Sequence, residues 1–108
     1  MKKTRVIVVE DENSIAESLA KRLGKLGYEA TKNFAKGEDI VNEIDSIACD
    51  VILMDVMLAG EMDGISAAAE IRKKKDIPII FLSAFVDDVT FQRAKLTDPA
   101  AYLTKPFD

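Results

Sequence analysis

Four short apolar runs in this chain each end on a polar side chain. Val6-Ile7-Val8-Val9 leads to Glu10-Asp11, Val51-Ile52-Leu53-Met54 to Asp55, Ile79-Ile80-Phe81-Leu82 to Ser83, and Ala101-Tyr102-Leu103-Thr104 to Lys105. Runs of this length without polar alternation read as strands buried on both faces. Between them the spacing turns helical. Ile15, Leu19, Leu23 and Leu26 predict a helix over residues 14–26, opened by the capping box Ser14-Ile15-Ala16-Glu17 and stopped by Gly27. Gly24 inside that helix costs roughly 1 kcal/mol relative to alanine, which the apolar face must offset. Residues 28–32 read as a shorter, more polar strand at a sheet edge, and Gly37-Glu38 opens a second helix through Ile40, Val41, Ile44 and Ile47. Residues 56–64 lose periodicity around Gly60 and Gly64 and predict a loop. A third helix follows over residues 65–74, with Ile65, Ala68, Ala69 and Arg72 on one face and a basic end, Arg72-Lys73-Lys74-Lys75, that complements the helix dipole. Pro78 is compatible with the start of a strand. Asp87 and Asp88 then cap a helix to about Leu96, and Asp98-Pro99 breaks the chain before the last strand.

Strands alternating with helices imply an α/β fold, a doubly wound parallel sheet with helices on both faces. The 108 residues suit one domain, residues 1–108, and show no repeat or interdomain linker. No helical pattern follows the fifth strand, so one sheet face is expected to be bare. Something should cover it, and self-association as a homodimer is one way. A net charge of −4 argues against a direct nucleic-acid partner. The longest apolar stretch, residues 77–86, is too short to span a bilayer, and no signal-peptide pattern opens the chain, so no membrane partner and a cytoplasmic location are expected. Cys49, the single cysteine, reads as a small core thiol with no cation nearby to activate it. Histidine is absent, which removes an imidazole base or a phosphohistidine from the chemistry open to this chain.

In such a sheet the C-terminal tips of the strands share one rim, where ligands bind. Glu10, Asp11, Asp55, Ser83 and Lys105 all have that placement. Three carboxylates about 5 Å apart repel by about 3 kcal/mol per pair at an effective dielectric of about 20. A cation must neutralise them or a proton be taken up, and Lys105 supplies one charge only. An oxygen-seeking divalent ion fits the remainder, magnesium better than calcium where water and phosphate complete the shell. A carboxylate beside such an ion, a lysine and a hydroxyl is equipped to accept a phosphoryl group as an acyl phosphate. Asp55, central in the acidic set, is the expected nucleophile. Each residue alone has an ordinary explanation, as helix cap, loop serine or solvated lysine; the joint arrangement points to phosphoryl chemistry.

These motifs, together with Met62-Asp63-Gly64, Ser83-Ala84 and Lys105-Pro106-Phe107, make residues 6–107 resemble a response-regulator receiver domain of two-component signalling, of the chemotaxis-regulator type. The resemblance implies a flavodoxin-like five-stranded sheet of order 2-1-3-4-5 whose final helix is missing here. It implies Asp55 as phosphoacceptor, with Glu10, Asp11, Asp55 and the backbone carbonyl of Met57 holding Mg2+, and Lys105 pairing with the phosphoryl group. It also implies a cis Lys105-Pro106 bond, and a switch in which Ser83 moves to the phosphoryl oxygen and Tyr102 swings into the vacated space. A histidine kinase or phosphotransfer protein is the implied donor, and an output domain or target protein the implied recipient. The chain departs from the usual pattern at Glu10, where aspartate is commoner, at Ala59, where proline is common, and in one extra residue before Met62.

Two other functions compete with a phosphorylation switch. A phosphorylation-independent interaction module of the same fold predicts weak magnesium binding and indifference to phosphoryl analogues. An aspartyl-phosphate hydrolase of small molecules commonly carries a second aspartate two residues past the nucleophile, and here that position is Met57.

Overall fold

The computed structural model describes residues 3–58, 60–83 and 87–104. Among these, strands and helices alternate as β1 (Arg5–Val9), α1 (Asn13–Lys25), β2 (Glu29–Phe34), α2 (Gly37–Glu43), β3 (Val51–Asp55), α3 (Gly64–Lys74), β4 (Ile79–Ser83), α4 (Asp88–Lys95) and β5 (Ala101–Thr104). A 3-10 turn, Ile44–Ser46, extends α2. The strands form one parallel sheet in the order β2-β1-β3-β4-β5, as the family resemblance implies. No described helix follows β5.

Alternation along the strands divides the interior between the two faces. Ile7, Val9, Ile52, Met54, Ile79 and Phe81 point to the face covered by α2 and α3, where Ile40, Ile44, Ile65, Ala68 and Ile71 complete the main core. Val6, Val8 and Leu82 point to the opposite face, where Leu19 of α1 buries against them. There the cover is thin: a groove lined by Leu19, Leu23, Leu26, Leu53, Leu82 and Leu103 opens to solvent, with Arg22 and Lys25 also along it. Among the described residues, α1 is the helix that packs on this face.

Local chemistry moves several boundaries. The capping box at Ser14 is not formed: α1 starts at Asn13, and its N-cap, Glu12, makes no side-chain cap bond. The Glu10 carboxylate accepts from the Glu12 amide at 3.2 Å, which holds the turn ahead of Ser14 and leaves that serine inside the first helical turn. The C-terminus follows expectation. Gly27 has φ of 94°, and the Tyr28 and Gly27 amides donate to the Leu23 and Gly24 carbonyls, the paired bonds of a Schellman motif. β2 runs later than expected, through Phe34, because Phe34 is buried under α2 whereas Tyr28 is exposed. It lies at the sheet edge, as its polarity suggests.

The basic end of α3 ties elements together as well as facing the helix dipole. Lys74 donates to the Val41 carbonyl at 2.8 Å and Lys75 to the Ile47 carbonyl at 3.2 Å, fastening α2 and the 3-10 turn to α3. Cys49 packs against the main core, but not without cations: Lys75 and Arg5 both act on it. Burial outweighs them and pushes the thiol above its ordinary value, so the group stays protonated at neutral pH.

Candidate functional site

Strand order brings the site together. β1 and β3 are central neighbours with Val9 opposite Met54, so Glu10 and Asp55 follow side by side at the rim. β4 flanks β3 on the other side, with Leu82 opposite Asp55 and Ser83 next along. Glu10 is 1% exposed, Asp55 4% and Ser83 1%, while Asp11 faces solvent. One carboxylate oxygen from each of Glu10, Asp11 and Asp55 lies within 4.8 Å of the other two. At that separation each ionised pair repels by about 3 kcal/mol at an effective dielectric of about 20. Two of the three acids are buried as well, which adds desolvation to repulsion. The donor set is all carboxylate oxygen, with one exposed member marking an approach from solvent. This fits a hard divalent cation and not a thiophilic metal.

Asp55 is aimed by its own loop and by α3. Its Oδ1 accepts from the Met57 amide at 3.1 Å. The Gly64 amide donates to the Val56 carbonyl at 2.8 Å, and a Cβ placed on Gly64 would lie 1.9 Å from the Asp55 carbonyl oxygen. Only glycine permits that approach, which presses the start of α3 onto the end of β3. Asp63, immediately before it, caps α3 by accepting from the Ser66 amide at 2.8 Å. It also accepts from Arg93 of α4 at 3.1 Å. Partial burial works to raise the Asp63 pKa, but the Ser66 amide and the Arg93 guanidinium outweigh it and hold the carboxyl below the usual carboxylate range.

The structure thus brings together Glu10, Asp11, Asp55 and Ser83 from the sequence-predicted set. Met57 stands at the rim with an exposed side chain. Tyr102 is half-buried on β5, its ring 6.2 Å from Phe81 and edge-on to Phe91 at 5.3 Å. Lys105, the Lys105-Pro106 bond, Phe107, Ala84 and Ala59 lie outside the described residues. Sequence reasoning gave Arg93 no role, because its partner Asp63 is on another helix and no local spacing links them. Gly64 was read as a loop breaker; its tight seat against Asp55 is visible only once α3 packs on β3.

In a doubly wound sheet of this order the switch point lies between β1 and β3, where the acidic cluster sits. The family model for the response regulator receiver domain matches residues 6–108, and the chain belongs to that family. It is 38% identical over 103 residues to the transcriptional regulatory protein PdtaR of Mycobacterium tuberculosis, which covers 95% of this chain and 50% of PdtaR. The chain therefore spans about half the length of the curated relatives it matches. Among solved structures, the signal receiver domain of a modulated diguanylate cyclase from Desulfovibrio desulfuricans G20 superposes with a TM-score of 0.92 at 37% identity, covering 99% of this chain and 85% of that one. The BeF3-activated DrrB receiver domain superposes with a TM-score of 0.83 at 29% identity, over 99% of this chain and 88% of that one. The protein is a receiver domain of two-component signalling, a regulatory domain with the acidic cluster on its rim.

Proposed function

We propose that this domain is a phosphorylation-dependent switch in which Asp55 accepts a phosphoryl group from a histidine kinase or phosphotransfer protein. The observation that carries this reading is the Asp55 carboxylate, 4% exposed and within 4.8 Å of the carboxylate oxygens of Glu10 and Asp11. In the transfer, an Asp55 oxygen attacks phosphorus as the P–N bond of the donor phosphohistidine breaks. The electron pair stays on the imidazole nitrogen, and an acyl phosphate forms on Asp55. Glu10, Asp11, Asp55 and the Met57 carbonyl would hold Mg2+, which when bound offsets negative charge on the transferring oxygens. The Met57 amide already bonds Asp55 Oδ1 and so orients the attacking carboxylate. Lys105 would pair with the phosphoryl oxygens, and the Ser83 hydroxyl would donate to one of them. Tyr102 would turn inward as Ser83 moves, changing the surface that α4 and β5 present to a partner.

The partner is an output segment or a separate target protein, since PdtaR, twice this length, is named a transcriptional regulatory protein. A cytoplasmic setting agrees with an intracellular phosphodonor. Incubation with acetyl phosphate and Mg2+ tests the reading. Intact-mass measurement should show one added phosphoryl group on the wild type, removed by hydroxylamine, and none on Asp55→Asn. A wild type that gains no mass overturns the switch in favour of a phosphorylation-independent module.

A further inference from the structure

The seam between α3 and α4 is an open groove lined by Ile65, Ala69, Arg72, Arg93 and Leu96, among others. α4 is lightly held. Ala94 is its one fully buried side chain among the described residues, Val89 is largely exposed, and Leu96 just past its end is 88% exposed. Two ion pairs cross between α3 and the α4 region. At the far end Arg72 reaches Asp98 at 3.6 Å, but that aspartate is almost wholly in solvent and the arginine is shared with Asp76. At the near end Arg93 reaches Asp63 at 3.1 Å, with both side chains partly shielded. Asp63 has two tasks at once, capping α3 through Ser66 and holding α4 through Arg93. The next residue, Gly64, lies against the Asp55 carbonyl. A chain of direct contacts therefore runs from Asp55 through Gly64 and Asp63 to Arg93.

We propose that the Asp63–Arg93 pair is a latch that seats α4 on the α3 N-terminus, and that Asp63 thereby acts as a positioning residue for the phosphoacceptor site. Gly64, seated on the Asp55 carbonyl and adjacent to Asp63, joins the phosphoacceptor to the latch, so a group bound at Asp55 favours the seated arrangement of α4. By reciprocity, loss of the latch weakens the binding of a phosphoryl group or its analogue. The inference rests on the phosphoacceptor reading of Asp55 for this second half; the seating of α4 does not depend on it.

Three variants separate the effects. Asp63→Asn keeps a good helix cap while removing the charge. Arg93→Gln removes the cation and leaves the cap untouched, and Arg93→Lys restores the charge. Amide hydrogen exchange in the ligand-free protein should be at least several-fold faster within α4 in Asp63→Asn and Arg93→Gln than in the wild type, with partial recovery in Arg93→Lys. Titration with fluoroberyllate in excess Mg2+ should give an affinity about fivefold weaker in each charge-removing variant, at the low end of ordinary coupling between sites. The double variant should be no weaker than the weaker single, because both remove one interaction. Unchanged α4 exchange in Arg93→Gln overturns the latch. Faster exchange with wild-type fluoroberyllate affinity, or additive losses in the double variant, overturns the coupling. A wild type that takes no fluoroberyllate overturns the reading of the site and the coupling with it, while the exchange measurement still decides the latch.

Discussion

The two faces of the sheet are built from alternate residues of the same strands, yet they are covered very differently. Ile7, Val9, Ile52, Met54 and Phe81 lie under α2 and α3 in a closed core. Among the described residues, Val6, Val8, Leu53 and Leu82 meet α1 alone, and the leucines around them form an open groove with Leu26 72% exposed and Leu103 45%. The strand sequences are equally apolar on both sides. Hydrophobic pattern therefore states what a face needs, and only the number of helices packed on it states what the face has. Strand β3, which carries Asp55, packs most fully on the closed side, where α3 also meets the end of the strand through Gly64.

The comparison can be broken most strongly at the closed face. Phe81→Ala should cost about 3–5 kcal/mol in urea unfolding, since the ring is fully buried and its neighbours cannot collapse into the space. On the other face Leu82→Ala should cost about 2–3 kcal/mol, nearer the lower end of the range for such changes, because the adjacent groove lets α1 settle inward. If the two losses were equal, the difference in coverage would have no energetic meaning. Leu26→Ala should change stability by no more than about 0.5 kcal/mol. A larger loss, especially one that grows with protein concentration in sedimentation and melting runs, would mean that a second molecule covers this face.

The smallest effect concerns pH. Asp63 has its pKa lowered in the folded protein from the ordinary 3.8, so its contribution to stability is present above that value and disappears as pH falls through the lower, folded one. Melting curves of wild type and Asp63→Asn should therefore differ at neutral pH and draw together as the pH falls below 3.8 and through the lowered folded value. A difference that persisted in acid would reflect packing, not charge.

Much of this was legible in the chain itself. Uninterrupted apolar runs marked β1, β3 and β4, and the polar residues that end them marked the rim, because a parallel arrangement sends all tips to one side. Glu10, Asp11, Asp55 and Ser83 could be placed that way without knowing any distance. The start of α1 could not: Ser14 had the right local pattern, but the Glu10 carboxylate bonded to Glu12 sets the turn from outside the helix. Nor could the partner of Arg93, the seat of Gly64, or the cations near Cys49, all of which join residues far apart in sequence. Periodicity reports on neighbours along the chain, and these contacts exist only between elements.

The register shift in β2 has a consequence for how the molecule meets others. Val6 pairs with Ala30 but Ile7 with Lys32, so Thr31 is an extra residue that bulges the edge strand. Lys32 on that edge is engaged with Glu43 and lies over the Phe34 ring. A bulged edge carrying anchored charge is a poor template for another chain's strand. The β2 edge of this apolar sheet is thus guarded against edge-to-edge pairing by distortion and charge.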